Sequence, residues 1–517
     1  MKLNKLFLAM SVIGASAAMT GCGSSSSGGS DPVPGTDSNP VTRALDTYTI
    51  NEVCSTVALH SGDEILMEDG SYLPLCELTG TIEEDATLSS DFVYRLNGYV
   101  TVGSGSVDLD SAAEVTSTKT NGIKLTVEAG THFRSSGKGS LIVARGSEID
   151  VQGTAAAPVV MSSKDAGFSG SGEWGGLVLQ GFAKNNQCPE NSEAIVCNVL
   201  DEADTGVHGG NDDADSSGSI SHLIIAEGGF EIRTDEEVNG ITLHSVGYGT
   251  SIENVMVYGN ADDGIEFFGG AVNVKNIILI DNNDESLDWD DGFRGNVQFA
   301  LIRQGVAVEG DHGIEADTAG PANDSLPESA PTIANVTFQE VDTEGADDLF
   351  RFKKGTEGTL INIAADNYHE CVKAEGSDVS VKLINVVAEC DAYETASDNF
   401  NFEYLTGGKK VAAATGNNAA VTAEDVLAAD NTASASVTMD TGIDGNTIGA
   451  ATVELGNAFE VTGNNGVLAT APVFTSANAS AGFLTSTAYV GAVDPAVTDA
   501  SNAWWAWAAE VIPAAFQ

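Results

Sequence analysis

From about residue 120 onward the apolar positions of this chain fall in short runs bounded by Gly, Asn and Asp, without the spacing of an amphipathic helix. That pattern predicts an all-β body. Five runs share one local form: Ile252-Glu253-Asn254-Val255, Val274-Lys275-Asn276-Ile277, Ile333-Ala334-Asn335-Val336, Leu360-Ile361-Asn362-Ile363 and Leu383-Ile384-Asn385-Val386. With Gln298 taking the Asn slot once, the steps between rungs are 22, 22, 37, 27 and 23 residues. A second apolar column keeps pace: Phe230, Ile265, Leu287, Ile314, Phe350 and Val372, with Phe400 as a further rung. A period in the low twenties, lengthened where a loop is inserted, is one coil of a solenoid. Two columns in register imply parallel strands stacked coil on coil, hence a right-handed parallel β-helix with an Asn ladder at the turns. The Leu-x-x-Leu-x-Leu spacing of a leucine-rich repeat is absent.

The expected organisation is a signal peptide at 1–21, a Gly/Ser-rich tether at 22–44, an N-terminal cap at 45–119, the β-helix at 120–405 and a β-rich C-terminal cap at 406–517. Trp504, Trp505 and Trp507 are expected to close the far end, because an open solenoid end exposes apolar rows and strand edges.

Aligning the coils on the second column exposes a grid of charge. Asp262, Gly264 and Glu266 in one coil fall above Asp284, Ser286 and Asp288, then above Asp311, Gly313 and Glu315. The next coils place Arg351 and Lys373 in the outer slot, with Lys353 two residues beyond Arg351. Asp263, Glu285, His312, Asp348 and Glu370 form a further column. Stacked strands lie ~4.8 Å apart, where two like charges repel by roughly 0.9 kcal/mol in water and about four times that at a half-dry surface. Something must compensate. One reading is an acid ladder closed by a Glu315–Arg351 salt bridge on a solvated face. The sharper reading is a divalent cation site, Ca²⁺ by its hard oxygen donors, with ligands drawn from Asp262, Glu266, Asp284, Asp288, Asp290, Asp291, Asp311, Glu315 and Asp317. The densest cluster, Asp288-Trp289-Asp290-Asp291-Gly292, lacks EF-hand spacing. His312 and His369 offer a mixed site, although a single His amid carboxylates is more often a hydrogen-bonded surface residue.

The chain's 75 acidic and 22 basic residues give a formal charge of -53, which excludes nucleic acid as a partner by repulsion. Hydrophobic residues at 42% leave ample material for a core, so the acid excess sits on a folded surface. Lys2 and Lys5 precede an apolar run, Leu6 to Met19, too short to span a bilayer; Met19-Thr20-Gly21-Cys22 follows. This resembles the bacterial lipoprotein signal, which implies lipidation at Cys22 and an exported, outer-membrane or cell-surface location held by the lipid anchor alone; an ordinary secretory signal is the alternative. The six other cysteines fall into local couples, Cys54 with Cys76, Cys188 with Cys197 and Cys371 with Cys390. Disulfides are expected, since the Cys-x-x-Cys spacing of zinc sites is missing.

Two resemblances bear on function. Asp262-Asp263, Asp284-Glu285, Asp311-His312-Gly313 and Arg351-Phe352-Lys353 are similar, in part, to the four stations of polygalacturonase-type glycosidases. That resemblance implies Asp263, Asp284, Glu285, His312, Arg351 and Lys353 as catalytic candidates on a uronate polymer, either as a hydrolase or as a Ca²⁺-dependent lyase. Gly172-Glu173-Trp174-Gly175-Gly176, Asp262-Asp263-Gly264-Ile265-Glu266-Phe267-Phe268-Gly269-Gly270, Ser286 through Gln298 and the terminal Ala488-Tyr489-Val490-Gly491-Ala492 resemble a family of bacterial surface β-helix lipoproteins over roughly residues 120–510. That likeness implies an exported right-handed β-helix of undefined activity. The expectation is therefore a Ca²⁺-stabilised β-helix that binds an extracellular glycan or an outer-membrane protein through its acidic face. A polysaccharide-active enzyme and a purely structural surface protein are the alternatives.

Overall fold

The computed structural model describes residues 42–44 and 54–392 apart from short internal segments, then 403–406, 409–412, 436–440, 447–448, 453–462 and most of 472–517. The expected signal peptide, tether, Cys22 and Phe400 lie outside these residues. Two ladders of parallel strands carry the fold. One runs from Gly218–Ala226 through Ser251–Tyr258, Asn273–Ile280, Asn296–Gln304, Thr332–Glu340 and Glu357–Glu375 to Ser380–Ala392. The other runs from Leu177–Gln180 through Ile241–His244, Ile265–Phe268, Leu287–Asp290 and Ile314–Ala316 to Asp348–Lys353. The result is an all-β right-handed parallel β-helix whose bore is filled by apolar side chains from both ladders.

Ile265, Leu287, Ile314, Phe350 and Val372 pair in direct register and are at most 1% exposed, so the second column is real. Phe230 does not belong to it. Ile241 pairs with Ile265, while Phe230 lies in the loop between Gly218–Ala226 and Ile241–His244, where an apolar residue at nearly the right distance mimics a rung.

The Asn slot has a backbone cause. Asn254, Asn276, Asn335, Asn362 and Asn385 have φ between 53° and 59°, the left-handed region that Asn tolerates better than other side-chain-bearing residues. Each interrupts its long strand for one residue: Glu253 pairs with Lys275 and Val255 with Ile277, but the Asn between them pairs with neither. His222 and Phe299 hold this conformation in the coils without Asn. Gln298 is thus one residue short of the slot. Its amide nevertheless reaches Asn335 Oδ1 at 3.2 Å, as Asn276 reaches Asn254 at 3.2 Å and Asn385 reaches Asn362 at 2.8 Å.

Both expected caps need correction. Tyr72–Ile82 already pairs in parallel with Val93–Val102, and Ala86–Leu88 with Lys124–Val127, so coil stacking begins within 45–119, at about residue 72. The antiparallel pairing of Leu59–Leu66 with Tyr72–Ile82 and the Cys54–Cys76 disulfide finish that end. A helix, Ala112–Thr120, also interrupts the segment. It buries only Val115 and so carries no apolar stripe that a sequence pattern could reveal.

At the other end, Ser436–Asp440 extends the parallel ladder on Ser380–Ala392, past residue 405. The tryptophans do not close an end at all. Trp505 and Trp507, with Ala508 and Ile512, cover an outward apolar column formed by Ile224, Met256, Ile278 and Leu301 in the middle coils. The segment leading to them lies along the Asn ladder: Asn296 donates to Ser476 Oγ at 2.9 Å, Gln298 to Thr485 O at 2.7 Å, Asn362 to Thr487 Oγ1 at 3.1 Å and Asn335 to Gly491 O at 3.1 Å. It is a lateral strap. An outward column of large aliphatic side chains costs ~1.5–3 kcal/mol per residue if left wet, which is the physical reason for the cover.

Cys188–Cys197 is formed as expected. Cys371 is disulfide-bonded, while the side chain of Cys390 lies outside the described residues. These bridges fit an oxidising, extracytoplasmic compartment. Among the described residues no helix is long and apolar enough to cross a membrane.

Candidate functional site

The acidic wall is built by strand register. Because side chains alternate along a strand, fixing Ile265, Leu287 and Ile314 inward turns their neighbours outward. Glu266, Asp288, Glu315, Arg351 and Lys373 then stack in one outer file. The preceding turns are stacked as well, Gly264 N donating to Glu285 O at 2.9 Å and Gly313 N to Asp348 O at 3.1 Å. Close approach requires glycine at 264, where a Cβ would sit 2.6 Å from Ser286 O. This stacking brings Asp263, Glu285, His312 and Asp348 together as a second, buried file.

One part of the wall is internally neutralised. His312, 1% exposed, places Nδ1 2.8 Å from Glu285 Oε1 and 3.2 Å from Asp311 Oδ1, and Nε2 3.2 Å from Asp348 Oδ2. Burial alone lowers an imidazole pKa, but hydrogen bonds to Asp311, Asp348 and Glu285 outweigh it and raise that of His312 to about 11. Glu315 holds Arg351 at 3.4 Å and also pairs with Lys353. The expected Glu315–Arg351 bridge is therefore present, and Glu315 engages both bases of the glycosidase-like station. Lys354 reaches Asp317 at 2.6 Å and Lys373 reaches Asp348 at 3.6 Å.

A different device closes the file at Asp291, beside Asp290. Gln187 donates to Asp291 Oδ1 at 2.8 Å and Asn185 to Oδ2 at 3.2 Å, from the loop stapled by Cys188–Cys197. Burial, then Asp291 and Asp317, holds the Asp290 carboxyl well above its ordinary range. Upstream the same outer position holds His244 and Phe268. Their rings stack 4.6 Å apart, with His208 4.5 Å from His244 on the other side. Burial pushes His244 down to about 4, so that flank is neutral.

The remaining acids crowd one another. Oxygens of Asp263, Glu285 and Asp288 lie within 4.8 Å of one another, and the same holds for Asp262, Asp263 and Asp284 and for Asp284, Glu285 and Asp311. Glu285 anchors to His312, and its backbone N–H donates to Asp263 Oδ1 at 2.9 Å. Oδ1 of Asp288 is buried and has no hydrogen-bond partner. Burial and then the charge of Glu285 push both the Asp263 and Asp288 carboxyls well above the usual range. Asp284, at the exposed rim, is raised to about 7, again by burial and then by Glu285 and Asp311. Glu266 is drawn aside by a hydrogen bond from Asn239 Nδ2.

Of the residues singled out by sequence, Asp262, Asp263, Asp284, Glu285, Asp288 and Asp311 thus form one contiguous patch. His312 backs it. Asp291, Glu315 and Asp317 are closed by side-chain amides or bases, Asp290 accepts only from the Asp291 backbone N–H and stays raised, and Arg351 and Lys353 are held by Glu315. His369 and Glu370 have side chains outside the described residues. Sequence reasoning gave no site role to Asp348, Lys354, Asn185, Gln187 or Asn239. Asp348 was visible as a rung, whereas Asn185 and Gln187 reach Asp291 across more than a hundred residues without any periodic signal.

Among curated proteins and among solved structures no significant match is found. A family model described as a pectate-lyase-like β-helix domain matches residues 80–447, which span both ladders and the acidic wall. With well over half its length matched, the chain belongs to the family of pectate-lyase-like β-helix domains.

Proposed function

We propose that the chain is an exported β-helix that binds Ca²⁺ at Asp263, Glu285 and Asp288, with Asp262 and Asp284 at the rim, and through it an anionic extracellular glycan. The carrying observation is the buried, unpartnered Oδ1 of Asp288 inside a three-carboxylate cluster, in a wall whose Arg351, Lys353, Lys354 and Lys373 engage other acids. An unpaired buried carboxylate oxygen costs several kcal/mol unless a proton or a cation joins it. The donor set is oxygen alone, which suits Ca²⁺ over softer metals, and three protein carboxylates leave coordination positions for water and a sugar carboxylate. Bound there, Ca²⁺ supplies charge neutralisation and a bridge to a uronate. Lipidation at Cys22 provides the anchor in this reading.

Titration calorimetry with Ca²⁺, followed by retention on polygalacturonate in Ca²⁺ but not in EDTA, tests the proposal. No heat of binding and an unchanged melting temperature at millimolar Ca²⁺ would remove it. Catalysis on a uronate polymer is the second reading. It is favoured by family membership and by Asp284, whose carboxyl, near 7 and adjacent to Glu285, is suited to proton transfer at neutral pH. Incubation with pectate and alginate, monitored for new reducing ends and unsaturated products, decides it for those substrates.

A further inference from the structure

We infer that His312 is the positioning residue of the carboxylate cluster, gripping Glu285 through one ring nitrogen and Asp348 through the other while Gln304 and Tyr368 fix its main chain. The inference rests on the cation-binding reading and says which group outside the ligand set makes the site.

The geometry is a relay that begins deep in the bore. Tyr368, 1% exposed, donates its hydroxyl to Gln304 Oε1 at 2.6 Å, and Gln304, fully buried, donates Nε2 to His312 O at 3.0 Å. Ser286 N reaches the same carbonyl at 3.3 Å, so the His312 backbone is held by two donors. The ring then spans two coils, 2.8 Å from Glu285 Oε1 and 3.2 Å from Asp348 Oδ2. A His with both nitrogens committed to carboxylates cannot swing, and the Glu285 carboxylate it holds loses its rotamer freedom. One further contact restrains the far side: Lys373 Nζ lies 3.6 Å from Asp348 Oδ2.

Packing alone does not call for this relay. The surrounding bore is filled by Phe338, Phe350 and Ile314, and an apolar side chain at 304 or 368 avoids the cost of burying an amide and a phenol. The polar chain ends on Glu285, a member of the cluster that also contains the unpartnered Asp288 oxygen. Outer groups that orient a ligand in this way typically change metal affinity about 10–100-fold when removed.

The test is Ca²⁺ titration calorimetry on the wild-type chain and on His312→Gln and Tyr368→Phe, each also unfolded by urea in EDTA. His312→Gln keeps a polar side chain but cannot bridge both carboxylates, and we expect affinity to fall about 10–100-fold. Tyr368→Phe removes one oxygen far from the wall. It should weaken Ca²⁺ binding in the same direction and to a lesser extent, with only a small loss of metal-free stability. A merely structural relay moves the urea midpoint and leaves affinity alone. Wild-type binding with both variants equally tight overturns the positioning role and spares the cation site. No Ca²⁺ binding by the wild type overturns the cation site and this inference together. Should His312→Gln fail to fold, Tyr368→Phe decides the matter by itself.

Discussion

Replacing Asp288 by Asn separates the energetic cost of the wall from its use. Asp288 lies directly between Glu266 and Glu315 in the ladder, and Glu285 belongs to its cluster. At the ~4.8 Å spacing of stacked strands a like-charge pair repels by about 0.9 kcal/mol in water and about 3.5 kcal/mol at an effective dielectric of ~20. Glu315 is already neutralised by Arg351 and Lys353, so the repulsion that remains comes chiefly from Glu285 and then Asp290, offset in part by Lys353. The asparagine side chain keeps the shape, removes the charge and offers a donor to those neighbours. Metal-free Asp288→Asn should therefore be more stable than wild type by about 1–3 kcal/mol. In Ca²⁺ the order inverts. A wild-type chain at 100 times its Kd gains about 2.7 kcal/mol, and a variant without this ligand gains little of it. Urea unfolding followed by the fluorescence of the buried Trp289, once in EDTA and once in Ca²⁺, measures both numbers on the same samples. A variant less stable than wild type in EDTA refutes the claim that the Asp288 charge is uncompensated. Equal stabilisation of both proteins by Ca²⁺ refutes its role as a ligand.

The pH dependence of the metal-free chain follows from Asp284. Its folded pKa is raised, so the folded state holds the proton more tightly and stability falls as pH rises from about 4 through about 7. The full rise corresponds to about 4 kcal/mol, which solvent screening at this exposed side chain reduces to about 1–2 kcal/mol; a flat urea midpoint across that window contradicts the assignment. His312 has a higher window, contributing stability below about 6.5 that is lost as pH climbs through about 11. Arg145→Met should cost about 3–5 kcal/mol and render the Cys188–Cys197 loop sensitive to protease, because the buried guanidinium donates to the carbonyls of Gly105, Val107, Cys197 and Gly209 and to Asn198. Trp505→Ala should cost about 3–5 kcal/mol and raise binding of an apolar dye at the uncovered Ile278 and Leu301, whereas an end cap would leave those residues buried.

The repeat was legible because a β-helix translates one backbone constraint into one residue type per coil. Asn254, Asn276, Asn335, Asn362 and Asn385 mark a left-handed backbone position, and Ile265, Leu287 and Ile314 mark the bore. The same logic misled at Gln298 and Phe230. Phe299 holds the left-handed position without any of the residue types that favour it, and Phe230 is an apolar loop residue at nearly the right interval. The direction of the C-terminal tryptophans was hidden for a different reason. Ile224, Met256, Ile278 and Leu301 face outward, but in strands buried on both faces outward and inward apolar residues read as one continuous run. At the wall, the file of acids followed from register alone. Which of them stay uncompensated depends on Asn185, Gln187, Asn239 and Lys354, all placed by loops whose reach no periodicity encodes.

A column of carboxylates one coil apart has four ways to relieve itself: a base in the next coil, a side-chain amide, a proton or a bound cation. This protein uses a base at Glu315, Asp317 and Asp348, and a side-chain amide at Glu266 and Asp291. Those remedies are within easy reach of the fold, since Lys275 and Gln298 occupy equivalent positions in a neighbouring ladder without strain on register. Asp263 and Asp288 face Glu285 and further acids, offset only in part by Lys353 at Asp288, and burial with these charges holds their carboxyls well above the ordinary range. Stability alone favours Asn or Lys at either position. Keeping two acids where the scaffold readily accepts a neutral or basic residue is the signature of a site whose strain has a use, and only the proton and the cation remain to explain it. A proton and a cation compete for these oxygens, so Ca²⁺ affinity should rise with pH through about 7 as the rim carboxyl of Asp284 ionises. Calorimetric Kd values at about pH 5.5 and about pH 8.5, either side of that ionisation, measure the rise; equal values at both would remove Asp284 from the binding step, and no heat at either pH would leave the wall an acid ladder without a ligand.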